Sequence, residues 1–474
     1  MTKPATDFSS RAHRALGDSR IRSNFRRAMD GLMKKFRISF PDESELEILR
    51  QLGSDIRTRA LDKLPELLEQ MEANCRKNGI KVHWAETTEE ANQIVLEIVR
   101  RHGASHLIKG KSMVTEEMEL NHFMEERGFE CLESDLGEFI VQLAHETPSH
   151  IIMPAIHKNI EQISELIAKK VPGASYTENV DELTNIARQH LRRKFCEAEV
   201  GISGVNFMVA ETGTLCIVTN EGNGRLTTTA PPVHIAVTGI EKMLEKLEDV
   251  PPLLHLLTRS ATGQTITTYF NMITSPRKPG DRDGPHEVHL ILLDNGRSRV
   301  YADQELRETL KCIRCGACMN HCPVYTRIGG HAYGFIYPGP IGKVLTPQME
   351  GLERAGDLAG ASTLCGACSE ICPVKIPLPQ LILRMRYEMV QPPSDVTSVL
   401  GRGVKRTPRE SLVWKGWQWM HVKSVRYGLA TRLIRVFWSL IIKRLEPWTA
   451  IRSAPKPARK SLHSLVQEKI VDHG

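Results

Sequence analysis

The stretch 311-KCIRCGACMNHCPVYTR-327 holds four cysteines, Cys312, Cys315, Cys318 and Cys322, and Pro323 follows the last of them. Such a run can be stapled by disulfides, hold zinc, or seat an iron–sulfur cluster, and the three demands differ in spacing. The N-terminus is basic and amphipathic but has no apolar h-region and no small-residue cleavage site, so no secretory leader is read there. A reducing cytosol is expected, and persistent disulfides are disfavoured in it. Zinc takes four ligands, often in two CxxC knuckles, and does not call for a third cysteine step ending in Cys-Pro. The spacing Cys-x2-Cys-x2-Cys-x3-Cys-Pro is the ferredoxin run. Its first three thiolates wrap one cubane, and the fourth is turned toward the other cluster of a pair.

A second run, 364-LCGACSEICPV-374, supplies Cys365, Cys368, Cys372 and Pro373, with Ser362 where a leading cysteine would stand. Crossing the ligands over as ferredoxins do gives cluster 1 a full set, Cys312, Cys315, Cys318 and Cys372. Cluster 2 receives Cys322, Cys365 and Cys368 and is one thiolate short. It is therefore a [3Fe–4S] centre, or a [4Fe–4S] centre whose last iron takes a non-cysteine ligand or stays open. Ser362, His321 and His331 are candidates for that ligand by position alone.

Upstream, residues 60–300 alternate helical periodicity with short apolar runs rich in β-formers: LPELLEQMEANCRKNG, KVHWAET, EEANQIVLEIVRRHG, HLIKGKSM. That alternation predicts a mostly parallel α/β sheet. Two turns are candidate sites. Lys109, Gly110, Lys111 and Ser112, ahead of a helix with Glu116 as a plausible N-cap, could receive an anion, although the glycine spacing is not that of a P-loop. Glu211, before a Gly-Thr turn and followed by Gly222, Asn223, Gly224, Arg225, Pro231, Pro232 and His234, could serve as a base or nucleophile in a pocket where the glycines allow close backbone approach of a ligand, or these residues could simply build β-turns. No G-x-G-x-x-G follows a strand, so no dinucleotide site is expected. Cys75, Cys131, Cys196 and Cys216 have no partners at ligand spacing and read as small hydrophobes.

At 474 residues the chain exceeds one ordinary core, and two or three domains are expected. Its net charge of +7 is uneven: from Gly401 onward sixteen Lys/Arg face four Asp/Glu, leaving the rest of the chain acidic. Five of the six tryptophans lie between Trp414 and Trp448 in that basic tail. The apolar run Val436–Ile442 is far short of the roughly twenty residues that span a bilayer. The tail reads first as a docking surface for a partner subunit and second as a membrane-surface element. No nucleic-acid-reading motif accompanies the charge.

In its order of parts, with VAETGTL and GRL…PPVHI, then CxxCxxCxxxCP and CxxCxxxCP, then a tryptophan-rich basic tail, the chain resembles the B-subunit family of bacterial lactate-utilization systems, the LutB family. The resemblance implies an α/β LUD domain (NagB/RpiA/CoA-transferase-like) over 61–300, behind an N-terminal helical segment, 1–60. An α-helical ferredoxin-type two-cluster domain, 301–390, and a basic tryptophan-rich helical region, 391–474, would follow. It carries the same ligand allocation onto the seven clustered cysteines. It also implies two iron–sulfur clusters, one 4Fe-4S with four Cys and one 4Fe-4S or 3Fe-4S with three. It further implies a part in oxidising L-lactate to pyruvate, and the paired clusters with crossed ligands make an electron-transfer subunit of an L-lactate dehydrogenase-type complex the expected role, working with LutA- and LutC-like sister subunits, cytoplasmic or peripheral at the inner membrane face, with a quinone-linked acceptor that could be reached through the tail. The alternatives are that the LUD region, through Glu211, or the open iron of cluster 2 is itself the catalytic site for a carboxylate or hydroxy acid.

Overall fold

The computed structural model describes residues 7–390, 408–438, 440, 458, 460 and 464–468. The chain divides into two compact units, Met1–Val404 and Lys405–Gly474.

The first unit opens with four helices, α1 (Phe8–Gly17), α2 (Ser19–Ser39), α3 (Glu43–Asp62) and α4 (Leu64–Lys77). Asp18 and Asp42 cap α2 and α3 by accepting hydrogen bonds from the free N–H groups of their first turns. A fifth helix, α5 (Thr88–Arg101), connects the strands β1 (Lys81–Ala85) and β2 (His106–Lys109). The further strands are β3 (Glu130–Glu133), β4 (Val200–Ser203), β5 (Phe207–Val209), β6 (Thr214–Thr219), β7 (Val233–Gly239), β8 (Met243–Leu244), β9 (Tyr269–Ile273) and β10 (Glu287–Leu293).

Six strands form one all-parallel sheet in the order β1-β10-β7-β4-β2-β3. The expected parallel α/β sheet is present, and the runs around 81, 106, 233 and 287 are its strands. All seven residues of β7 are buried, as continuous apolar runs require in a sheet covered on both faces. A second sheet, β8-β5-β6-β9, carries the β5–β6 hairpin and is mostly antiparallel. The helix Asn223–Thr229 lies so close over β4 that a Cβ on Gly201 would meet the Thr227 carbonyl oxygen at 1.9 Å.

One continuous core joins the N-terminal helices, the small sheet and the cysteine-bearing segment: Phe25, Ile56, Leu253, Cys315, Tyr325 and Leu381 all belong to it. Phe25 of α2 meets Tyr325 edge-on with ring centroids 5.5 Å apart. The N-terminal helices therefore pack on the cysteine segment rather than standing free.

In the second unit the helices Pro408–His421 and Ser424–Val436 bury no residue, and Trp414, Trp417 and Trp419 are exposed. Trp448 and most of the end of the Val436–Ile442 run lie outside the described residues. No helix among the described residues is long and apolar enough to cross a membrane.

Candidate iron–sulfur centres and the adjoining cleft

The two cysteine runs fold alike. Arg314 and Gly316 flank Cys315 in the left-handed region (φ 61° and 77°), and Leu364 and Gly366 do the same around Cys365 (φ 55° and 88°). Each run then enters one short turn of helix, Ala317–Asn320 and Ala367–Glu370, before its Cys-Pro step. The left-handed residues bend the chain back on itself, so that sulfurs three residues apart can face one centre.

The sulfurs sort into two groups. Cys315 and Cys318 both interact with Cys312 and Cys372, whereas Cys368 interacts with Cys322 and Cys365. The last cysteine of each run thus joins the other run's group. None of the eleven cysteines is disulfide-bonded. Burial, reinforced by neighbouring thiols, pushes Cys315 and Cys318 well above the usual thiol range, and burial raises Cys368 and Cys372 to about 11. Several buried thiols drawn together but unable to ionise alone suit a cationic iron core, which would compensate their charge. Backbone N–H groups already point at the sulfurs: Arg314 N lies 3.4 Å from Cys312 Sγ, Tyr325 N 3.5 Å from Cys322 Sγ, and Ile376 N 3.3 Å from Cys372 Sγ. The donor set fits two iron–sulfur clusters.

Of the three candidates for a further ligand, Ser362 alone borders the small cavity shared by Cys322, Cys365 and Cys368. Its Oγ accepts a hydrogen bond from Leu364 N at 3.1 Å, the same bond that Cys312 Sγ accepts from Arg314 N in the first run. His321 is held by the Ala317 carbonyl at 3.0 Å and packs on Phe36, and His331 is bonded to the Thr147 carbonyl at 2.7 Å beside His157.

The structure adds residues that spacing did not reveal. Lys343, 1% exposed, brings its Nζ to 3.6 Å from Cys322 Sγ, above the Tyr333 ring. Tyr325 and Tyr333 are buried and interact with a cysteine of each group, Cys322 and Cys318. A Lys-for-thiolate pairing across twenty-one residues leaves no local pattern to read.

Beside the first group, a cleft of about 280 Å³ opens beyond the carboxyl ends of β2 and β4, where open α/β sheets place their ligands. Gly110, Lys111 and Ser112 line it, as do Asn223 and Gly224. Lys109 does not: it is buried in a pair with Glu133 at 2.6 Å and with Glu116 at 3.1 Å. The cap of the following helix is Ser112, whose Oγ accepts from Thr115 N, rather than Glu116. Glu211 stays out of the cleft; it is exposed, and its carboxylate accepts a hydrogen bond from Leu247 N at 3.0 Å. His234 is sealed under the sheet against Ser203. Cys75, Cys131 and Cys216 are buried and Cys196 is exposed.

Three family matches cover the chain in order: the LUD domain over residues 68–293, the 4Fe-4S dicluster domain over 308–376, and the C-terminal domain of lactate utilisation protein B over 384–471. Lactate utilization protein B of Shouchella clausii is 42% identical over 96% of this chain and 95% of its own. The proteins of that name from Oceanobacillus iheyensis and Bacillus cytotoxicus are 41% and 40% identical, over 93% and 97% of this chain and 91% and 97% of theirs. With the dicluster match lying over both cysteine runs and near-full-length relatives on either side of it, the chain belongs to the lactate utilization protein B family.

Proposed function

We propose that this chain is the electron-relay subunit of a system that oxidises L-lactate to pyruvate. Cys312, Cys315, Cys318 and Cys372 would hold one [4Fe–4S] cluster, and Cys322, Cys365 and Cys368, completed by Ser362 Oγ, the other. The observation that carries the reading is the exchange of the last cysteine between the two groups, Cys372 interacting with the first run and Cys322 with the second, as a pair of ferredoxin-type clusters requires. Such clusters supply one-electron redox chemistry tuned by hydrogen bonds to sulfur and by burial.

The protein's own part is to hold and insulate. The left-handed turns aim the thiolates, backbone N–H groups stabilise their charge, and the shared core excludes water from the space between the groups. The chain presents no nicotinamide or flavin fingerprint, so the step that takes electrons from lactate belongs to a sister subunit. The basic tryptophan-bearing tail suits docking on a sister subunit, with an acceptor at the membrane face as the second addressee.

The test is to purify the chain anaerobically and add L-lactate with and without the sister subunits, following visible bleaching and EPR. Reduction only in their presence supports the relay. Reduction by lactate alone would move the chemistry into this chain, and no reduction under either condition would overturn the reading.

A further inference from the structure

The cleft at the sheet's edge has a cationic wall with donors left over. Lys242 is 6% exposed, lines the cleft, and forms no hydrogen bond or ion pair among the described residues. Arg314, whose side chain is 10% exposed, offers Nη2 to Glu241 Oε1 at 3.3 Å, while its buried Nη1 has no partner. The left-handed backbone at Arg314 lets this side chain leave the cysteine turn and run beneath the Tyr337 ring, with the guanidinium 4.8 Å from the ring centroid. Buried cationic donors without acceptors are costly unless something fills the role.

The rest of the lining limits what that can be. Lys111, Lys242 and Arg314 share the lining with Asp135 and Glu221, and Arg314 is already bonded to Glu241. The unpartnered donors of Lys242 and Arg314 suit one anionic group, and a second negative charge on the ligand would meet the carboxylates of the same lining. Leu257 and Ala261 add an apolar wall, and a volume of about 280 Å³ lies at the small end for ligand pockets, which run from about 300 to 1,000 Å³. The geometry points to a binding site for a small monocarboxylate with a short apolar substituent, its carboxylate held by Lys242 and Arg314 next to the Cys312–Cys315 turn. Because Arg314 lies between two sulfurs of the first group, an anion accepted there lowers the reduction potential of the neighbouring centre and links occupancy to redox state.

The binding half of this inference is independent of the relay; the redox half rests on it. Isothermal calorimetry on the full chain, loaded with clusters, uses L-lactate, pyruvate, acetate and inorganic phosphate as probes. Saturable binding of at least one monocarboxylate is expected, with phosphate about tenfold weaker or worse. Lys242→Met should weaken that binding about tenfold or more, as loss of a charge-assisted hydrogen bond does. Ala261→Leu, which fills the apolar wall and touches no charge, should do the same while leaving the fold and cluster spectra intact. Potentiometric EPR should show the first centre's potential falling when the bound carboxylate is present and staying put in the Lys242→Met chain. Binding of none of the probes, tighter binding of phosphate, or unchanged binding in both variants would overturn the site. Binding without a shift in potential would remove the link to the cluster alone, and failure of partner-dependent reduction would leave the calorimetric result standing.

Discussion

At the scale of single residues, the proposed second cluster would turn on two side chains. Ser362 repeats the place and the backbone hydrogen bond of Cys312, so the serine hydroxyl is presented as the thiol is in the first run. Ser362→Ala is expected to yield a chain that loses one iron and shows a [3Fe–4S] EPR signal as purified, whereas Ser362→Cys keeps the four-iron form. Identical Mössbauer spectra for all three chains would show that the hydroxyl is not a ligand. Lys343 acts on the same centre through charge. Its ammonium lies 3.6 Å from Cys322 Sγ and is buried, so it favours whichever redox state carries more negative charge. Lys343→Met removes an interaction worth about 1.5 kcal/mol, which lowers a one-electron potential by about 60 mV. A redox titration that leaves the second centre unmoved, with the first as internal reference, would refute this.

At the scale of elements, buried charge holds the pieces in register. Arg57 of α3 is 1% exposed and donates to the carbonyls of Glu241 (2.5 Å), Met243 (2.6 Å), Leu310 (2.9 Å) and Lys311 (3.2 Å), clamping the small sheet to the start of the cysteine run. Arg57→Met strands these acceptors in the core, and a loss of about 3 kcal/mol or more is expected. Thermal denaturation should show it together with poorer cluster loading; an unchanged midpoint would mean the carbonyls find other donors. Gly239 serves the same junction, since a Cβ there would fall 2.1 Å from Glu241 Oε2 and 2.3 Å from Arg297 Nε. Where β2 and β3 end and the helix Leu136–Leu143 begins, Lys109 meets Glu133, and Glu138 is buried with neither carboxylate oxygen bonded to a donor. Burial first, then the Glu133 charge, holds the Glu138 carboxyl well above the usual range. A carboxyl raised in the folded state stabilises at low pH, and that contribution is lost as pH rises from the ordinary carboxylate range through the raised value. Glu138→Gln mimics the protonated form, so its stability relative to the parent should increase between pH 5.5 and pH 8. Parallel melting curves across that interval would show that Glu138 is ionised in the fold.

At the scale of the whole molecule, what could be read from the chain was what repeats locally. The cysteine steps and the alternation that makes β1, α5 and β2 are short-range patterns, and both appear in the structure. Contacts that join distant segments left no such trace: Lys343 on Cys322, Arg57 on four carbonyls from two other segments, and Lys242 beside Arg314 are products of tertiary packing. Glu211 misled for the same reason, because a glycine-rich turn says where the backbone bends and not which side chain faces the cleft. The tail is the opposite case, since its character is compositional. From Gly401 onward the excess of basic residues is large while the remainder of the chain is acidic, and the two described tail helices bury nothing. Arg426 stacks over Trp419 at 4.5 Å, a pairing that offers a flat cationic and aromatic surface to a partner. A chain ending at Val404 should therefore keep its melting midpoint and its dithionite-reduced cluster spectra, because the first unit contains the core and all seven clustered cysteines. Reduction of that shortened chain by L-lactate through the sister subunits should slow about tenfold or more, as removal of a set of aromatic and arginine anchors does. Partner-driven reduction at the full rate would show instead that electrons enter through the first unit and that the tail serves another addressee.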